Sequence, residues 1–219
     1  VKGLDRLIVT SNVYQQRAKD DTAKSKIDSD NKLYWRATRR RMEAEMLRDN
    51  VLAVSGALNT RMGGKPVLVP IEQEIYDLIF TEGEPDNLWP LLPDRNEHHR
   101  RSIYLLNKRT VRLPMLANFD QPDAMTSCPL RPASTHALQA LSLMNSDFIT
   151  EQAGTFAARL EKQCGSDRSC AVRAAYRHAL AREPRPAEAA MAKEFFAAGS
   201  PLSDFCLALL NRNEFVYLP

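Results

Sequence analysis

The stretch KLYWRATRRRMEAEMLRDNVLAVSGAL, residues 32–58, decides how the rest of the chain is read. Leu33, Ala37, Ala44, Leu47, Val51, Val54 and Leu58 recur in it at three- and four-residue steps, the spacing that lines up side chains on one face of an α-helix. Read this way, the stretch is one long central helix that organises the fold, ended by the glycines of GALNTRMGG at 56–64. One position jars with the stripe. Arg40 falls on the apolar side with Ala44 and Leu47, where a guanidinium needs a carboxylate or backbone carbonyls around it, and Glu43 is close at hand. The helix therefore predicts a buried, hydrogen-bonded Arg40, with an anion or substrate site as the sharper alternative.

Outward from this stretch, residues 1–16 read as a shorter amphipathic helix with Val1, Leu4, Leu7 and Ile8 on one side. A chain that starts inside a helical pattern reads as a piece of something longer. RAKDDTAKSKIDSDN at 17–31 is polar and aperiodic, a loop whose Ser29 or Asp30 would cap the long helix. Residues 65–96 are punctuated by proline, with at most a short element at 72–80. Val67 to Pro70 and Ile103 to Leu106 suit short strands that could pair in a small sheet or hairpin. Beyond residue 133 the pattern is helical to the end. Ser134 or Thr135 would cap a helix through Met144, and Asn145 or Ser146 one through Lys162. SCAVRAAYRHALAR is a third, a fourth carries Pro186 in its first turn, and a fifth starts near Ser200 or Ser203. The expected fold is mainly α, a long central helix plus a C-terminal antiparallel bundle. As one domain fragment, 1–219 divides into N-terminal helices (1–64), an irregular segment (65–133) and the bundle (134–219).

Bulk properties narrow the function classes. The chain has 219 residues, 44% of them hydrophobic, and a net charge of +3 from thirty basic and twenty-seven acidic residues. No apolar run approaches the ~20 residues that span a bilayer. The basic run RATRRR is followed at once by Glu43, Glu45 and Asp49, which suits a solvated, ion-paired face better than nucleic-acid binding. His98 and His99 lie among charges and are expected to be exposed. Of the four cysteines, Cys164 and Cys170 flank a corner between two expected helices, with Gly165 where a left-handed cap is wanted. They are placed to form a disulfide, and with it comes an oxidising compartment. Cys206 reads as a buried small hydrophobe.

Motifs for chemistry are sparse. The chain has no CxxC, no CxxCH, no HExxH, no GxSxG and no P-loop. In FDQPDAMTSCPLRPASTHALQALSLMNSDF, residues 119–148, the prolines dictate an extended, turning path, and Asp120 and Asp123 are placed to bond turn amides. Surplus arginine near apolar faces suggests instead that Asp120 neutralises Arg40, Arg48 or Arg101. Phe119, Met125 and Leu130 would anchor the segment against the long helix.

LDRLIVTSNVYQQ (4–16), DNKLYWRATRRRMEAEMLRDNVLAVSGALNTRMGG (30–64), RRSIYLLNKRTVRLPMLANFDQPD (100–123), RPASTHALQALSLMNSDFITEQA (131–153) and CLALLNRNEF (206–215) together resemble the C-terminal portion of the planctomycete-type PSD domain. The matching positions include Arg40, Arg41, Glu43, Glu45, Arg48 and Asp49, then Arg101, Tyr104, Arg109, Phe119, Asp120, Pro122, Arg131, Thr135, Gln139 and Asn145. The resemblance implies a large exported protein of planctomycetes or acidobacteria, periplasmic or extracellular, in which this domain follows a cytochrome c-like domain. It implies no catalytic residue, and any haem would belong to a neighbouring domain or chain. Two functions follow as expectations. One is a non-enzymatic scaffold or interaction module, whose partners are a cytochrome c-like domain or other chains of a surface assembly. The other is part of an extracellular enzyme acting on polysaccharide. Arg40, Glu43, Arg48, Asp49, Arg101, Arg109, Asp120 and Arg131 are the structural ion-pair or candidate pocket residues of either. A scaffold predicts inward, paired arginines; an enzyme predicts an open pocket where some stay free.

Overall fold

The computed structural model describes residues 1–73, 76–77 and 88–218. The fold is mainly α. In chain order the described elements are α1 (Lys2–Val9), α2 (Thr22–Ile27), β1 (Arg40–Arg41), α3 (Ala44–Ser55), α4 (Arg95–His98), a 3-10 turn (Ser102–Tyr104), α5 (Pro114–Asn118), α6 (Ala137–Asn145), α7 (Asp147–Cys164), α8 (Arg168–Leu180), α9 (Pro186–Ala197), α10 (Leu202–Leu210), α11 (Asn213–Val216) and β2 (Tyr217–Leu218). The expected element at 72–80 falls largely outside the described residues.

The chain forms two units. Val1–Met42 with Val216–Pro219 make one, and Glu43–Phe215 the other.

The long central helix of 32–58 is corrected to α3 alone, which starts at Ala44. Side chains upstream take the amides a helix would use. The Asp28 carboxylate accepts from Lys32 N at 3.0 Å and Leu33 N at 2.7 Å, and Asn31 Oδ1 accepts from Arg36 N at 3.2 Å. Such local acceptors compete with the i→i−4 ladder. The backbone also reverses at Asn31 (φ 55°) and Tyr34 (φ 52°), conformations no α-helix contains. Arg40 is consequently exposed, on strand β1 opposite Leu218, and not in the core. The strands predicted at Val67 and Ile103 reduce to one parallel bridge. Val67 N donates to Tyr104 O at 2.8 Å, and Leu106 N to Val67 O at 2.9 Å. The sheet that does form pairs β1 antiparallel with β2, with Arg40 opposite Leu218 and Arg41 opposite Tyr217.

In the second unit α7 is the hub. It packs on α3, α6, α8 and α10. Its Ile149, Ala153, Phe156 and Leu160 are buried, as are Leu47, Val51 and Leu52 of α3, Ala171 and Ala175 of α8, and Cys206, Leu209 and Leu210 of α10. At an order of 25 cal/mol per Å², this apolar burial is the main favourable term. Ser146 caps α7 as expected, accepting from Ile149 N at 3.4 Å, whereas α6 begins at Ala137 with no side-chain cap from Ser134 or Thr135. The fifth helix is broken at 211–212 into α10 and the short α11. Gly56 ends α3 at φ 86°, and a Cβ there would stand 3.1 Å from Arg159 Cδ. That closeness has a purpose. The Arg159 guanidinium donates to the carbonyls of Ala53 at 3.1 Å and Val54 at 2.7 Å, placing a cation on the negative end of α3. Cys164 and Cys170 are disulfide-bonded across the α7–α8 corner.

Candidate functional site

The first turn of α3 opens onto a cleft of about 410 Å³, lined by Glu43, Glu45, Met46, Asp49, the 101–107 segment, Leu113, Leu116, Gln121 and Arg131. Three of the charged residues around it derive their geometry from α3. Glu43 stands just before the helix and Glu45 in its first turn, where carboxylates suit the positive end. Asp49 lies one turn on from Glu45, on the same face. Its Oδ1 accepts from Ser102 N and Ser102 Oγ, both at 2.7 Å, which docks the 3-10 turn on the helix.

Arg48 points the other way and is the buried arginine of the helix, only 4% exposed. Its Nη1 donates to Arg100 O at 2.9 Å and Ser102 Oγ at 3.2 Å, and its Nη2 to His98 O at 2.6 Å. The guanidinium carbon lies 5.5 Å from the Phe148 ring centroid. Burial pulls its pKa down to about 10, partly offset by the nearby Asp49 carboxylate. It stays cationic at neutral pH.

Arg131 reaches across from the proline-rich segment. It donates to both Glu45 oxygens, at 2.7 and 3.3 Å, and its Nη1 is 3.1 Å from Glu43. The hydrogen bond to Glu45 raises its pKa. Arg101 is half exposed at the cleft mouth, with its Nε 3.9 Å from Asp49 Oδ2. That separation exceeds a hydrogen bond, and an exposed pair of this kind contributes little.

The residues singled out from sequence thus divide. Glu43, Asp49, Arg101 and Arg131 meet at the cleft, and Arg48 braces the backbone beside it. Arg40 and Arg109 do not line it, and both are exposed. Asp120 sits apart from its lining at φ 61° and accepts from Ser134 N at 2.8 Å and from Ser134 Oγ at 2.8 Å, so its described bonds close a turn onto the start of the next segment. Phe119 is buried, but Met125 and Leu130 are exposed and anchor nothing.

Sequence reasoning missed Arg100, His98 and Ser102. Arg100 is 1% exposed. It donates to the carbonyls of Arg61 at 3.3 Å, Lys65 at 3.4 Å and Gly63, and its guanidinium stacks 4.0 Å from the Tyr104 centroid. His98, expected to be exposed, is buried with Nε2 2.9 Å from Leu92 O, and burial lowers the His99 pKa. The run HHRR reads as solvated charge because its partners are main-chain carbonyls, which no residue pattern announces. Among the described residues no group of three His, Cys, Asp or Glu side chains is placed to hold a metal ion.

Residues 1–196 match the family model PSD1, Protein of unknown function (DUF1553). The chain belongs to that family. No curated protein and no solved structure matches it. In this PSD1 chain the cleft and both buried arginines fall inside the matched residues, while α10 and everything after it fall outside.

Proposed function

We propose that this PSD1 chain is a non-catalytic helical interaction module of an exported multidomain protein, holding a cytochrome c-like domain or other chains of a surface assembly. One observation carries the reading: the arginines most able to bind a substrate are spent on the fold itself. Arg48 and Arg100 between them donate to five backbone carbonyls, those of His98 and Arg100 and those of Arg61, Gly63 and Lys65. Arg131 is forked onto Glu45, and Asp49 onto Ser102. A buried guanidinium so used stiffens irregular chain rather than meeting a ligand. The Cys164–Cys170 disulfide supports a periplasmic or extracellular location, and no described helix is long and apolar enough to cross a membrane. The chain has no CxxCH, so a haem would sit on the neighbouring domain.

The half-exposed Arg101 over an open cleft favours a second reading, an extracellular enzyme acting on polysaccharide. One experiment separates the two. The purified chain is titrated calorimetrically with the cytochrome c-like domain of a family member and assayed for reducing ends released from a polysaccharide panel. A saturable complex with no release supports the module. Absence of a complex, with release that Arg101→Ala abolishes, overturns it.

A further inference from the structure

A second cleft lies wholly in the first unit, and its argument does not rest on the function proposed above. Arg17, Lys19, Asp20, Asp21, Lys24 and Trp35 line a space of about 450 Å³. Its two walls are tied together. Gln16 Nε2 donates to Tyr34 O at 2.7 Å, and Ala37 N to Arg17 O at 3.2 Å, so the segments 16–21 and 34–37 run side by side. The Trp35 indole N–H donates to Asp28 O at 2.9 Å, which sets the ring's orientation. Arg36 braces the ring, 5.1 Å from its centroid.

Charge in this cleft does not cancel. Asp20 is already held by Arg36, at 3.0 Å. Asp21 caps α2, accepting from Ala23 N at 2.9 Å and Lys24 N at 3.3 Å. Both carboxylates are therefore engaged. Arg17, Lys19 and Lys24 have no ion-pair partner among the described residues, and all three are exposed. Three free cations around one aromatic wall select a ligand that carries anionic groups on a ring, the ring lying on the indole and the anions meeting the cations.

We propose that this cleft binds acidic sugar units of a polysaccharide, with Trp35 as the stacking wall and Arg17, Lys19 and Lys24 as donors to carboxylate or sulfate groups. A nucleic acid shares the combination of ring and anion, but it is held by a long basic track that follows many phosphates. The three cations that line this cleft share its wall with two carboxylates, which would repel a continuous phosphate backbone.

The test is a calorimetric titration of the whole chain with oligogalacturonate, sulfated dextran fragments, neutral dextran, and single-stranded DNA of matched charge. The two acidic saccharides distinguish carboxylate from sulfate as the preferred group. Binding of at least one, weakened by salt, with neutral dextran inert and DNA weaker, is expected. Charge-assisted bonds are removed in Lys19→Glu with Lys24→Glu, which should lower affinity by roughly tenfold or more. Trp35→Leu should lower it too, while Lys2→Glu with Arg6→Glu on α1 should leave it unchanged. Failure of both acidic saccharides to bind overturns the proposal. So does DNA binding as tightly, equal loss in the α1 control, or no loss in the lysine pair. Trp35→Leu binding like the parent also overturns it. If circular dichroism shows Trp35→Leu unfolded, the lysine pair decides, because those side chains make no described contact that the fold needs.

Discussion

Arg40 and Arg48 stand two helical turns apart in the sequence pattern, and the structure exchanges the roles expected of them. The apolar stripe makes Arg40 the odd residue on the core side. The helix starts later, so Arg40 is on an exposed strand and Arg48 is the residue that turns inward. What burial of a guanidinium requires was legible: hydrogen-bonding partners in the low-dielectric interior. Which partners was not, because Arg48 is satisfied chiefly by main-chain carbonyls contributed from fifty residues away. The two sites predict opposite outcomes. Arg48→Met should destabilise the protein by about 3 kcal/mol, since it strands the His98 and Arg100 carbonyls and loosens the 3-10 turn. Arg40→Met should stay within about 0.5 kcal/mol of the parent, as exposed positions do. Urea unfolding followed by circular dichroism measures both, and equal midpoints for the two variants would refute the assignment.

At the scale of elements, the sequence spoke most clearly where a helix boundary depends on local chemistry. Ser146 before α7 and Pro186 in the first turn of α9 lie where capping rules put them, whereas Gly165 ends α7 at φ 60° and ψ −132°, outside the left-handed cap expected there. It misled where side chains at a distance of three to five residues captured the amides, as at Asp28 and Asn31. The α7–α8 corner yields a direct check. Unfolded but unreduced protein should titrate only Cys128 and Cys206 as thiols. Replacing Cys164 and Cys170 together by Ser should cost roughly 2 kcal/mol, the loop-closure contribution of so short a ring. A second check concerns the clasp between the end of α8, the start of α9 and α11. Arg182 donates to both Glu188 oxygens, at 2.7 and 2.8 Å, and to both Glu214 oxygens, at 2.6 and 2.7 Å. The bond from Arg182 is the main reason the Glu188 pKa falls from 4.5 to about 2, and the Arg185 amide helps. A carboxylate depressed in the folded state stabilises above its unfolded pKa and stops doing so as pH falls through the folded value. Its contribution is therefore full at neutral pH and is lost between about 4.5 and about 2. Glu188→Gln should melt lower at neutral pH, by about 1–2 kcal/mol. Its melting temperature should also fall less steeply on acidification than the parent's, and parallel acid profiles would count against the clasp.

Over the whole molecule, the mainly α class and the helical C-terminal half could be read from periodicity, whereas the division into two units could not. The first unit includes β1 meeting β2, two residues each, some 175 residues apart in the chain. Pairs so short and so far apart leave no pattern in the sequence, and closing so long a loop is costly in entropy. The units differ in what holds them. In the first, only Ala18, Met42 and Val216 are buried apolar residues among those described, and α1 and α2 bury nothing. The second has the packed faces of α3, α7, α8 and α10. Regions with few buried apolar contacts open at lower free energy than the global transition. Hydrogen exchange should therefore be fast in α1 and α2 and slowest in α7 and α10. The tie at the chain's ends sharpens this expectation. Met42 N donates to Val216 O at 2.9 Å, next to the β1–β2 pair. Deleting Val216–Pro219 removes that acceptor and both β2 residues at once. Amide protection at Arg41 and Met42 should then collapse, while the α7 amides keep theirs, because Ile149, Phe156 and Leu160 are buried within the helical core of the second unit. Loss of protection in α7 to the same extent would mean that the two units unfold as one cooperative body.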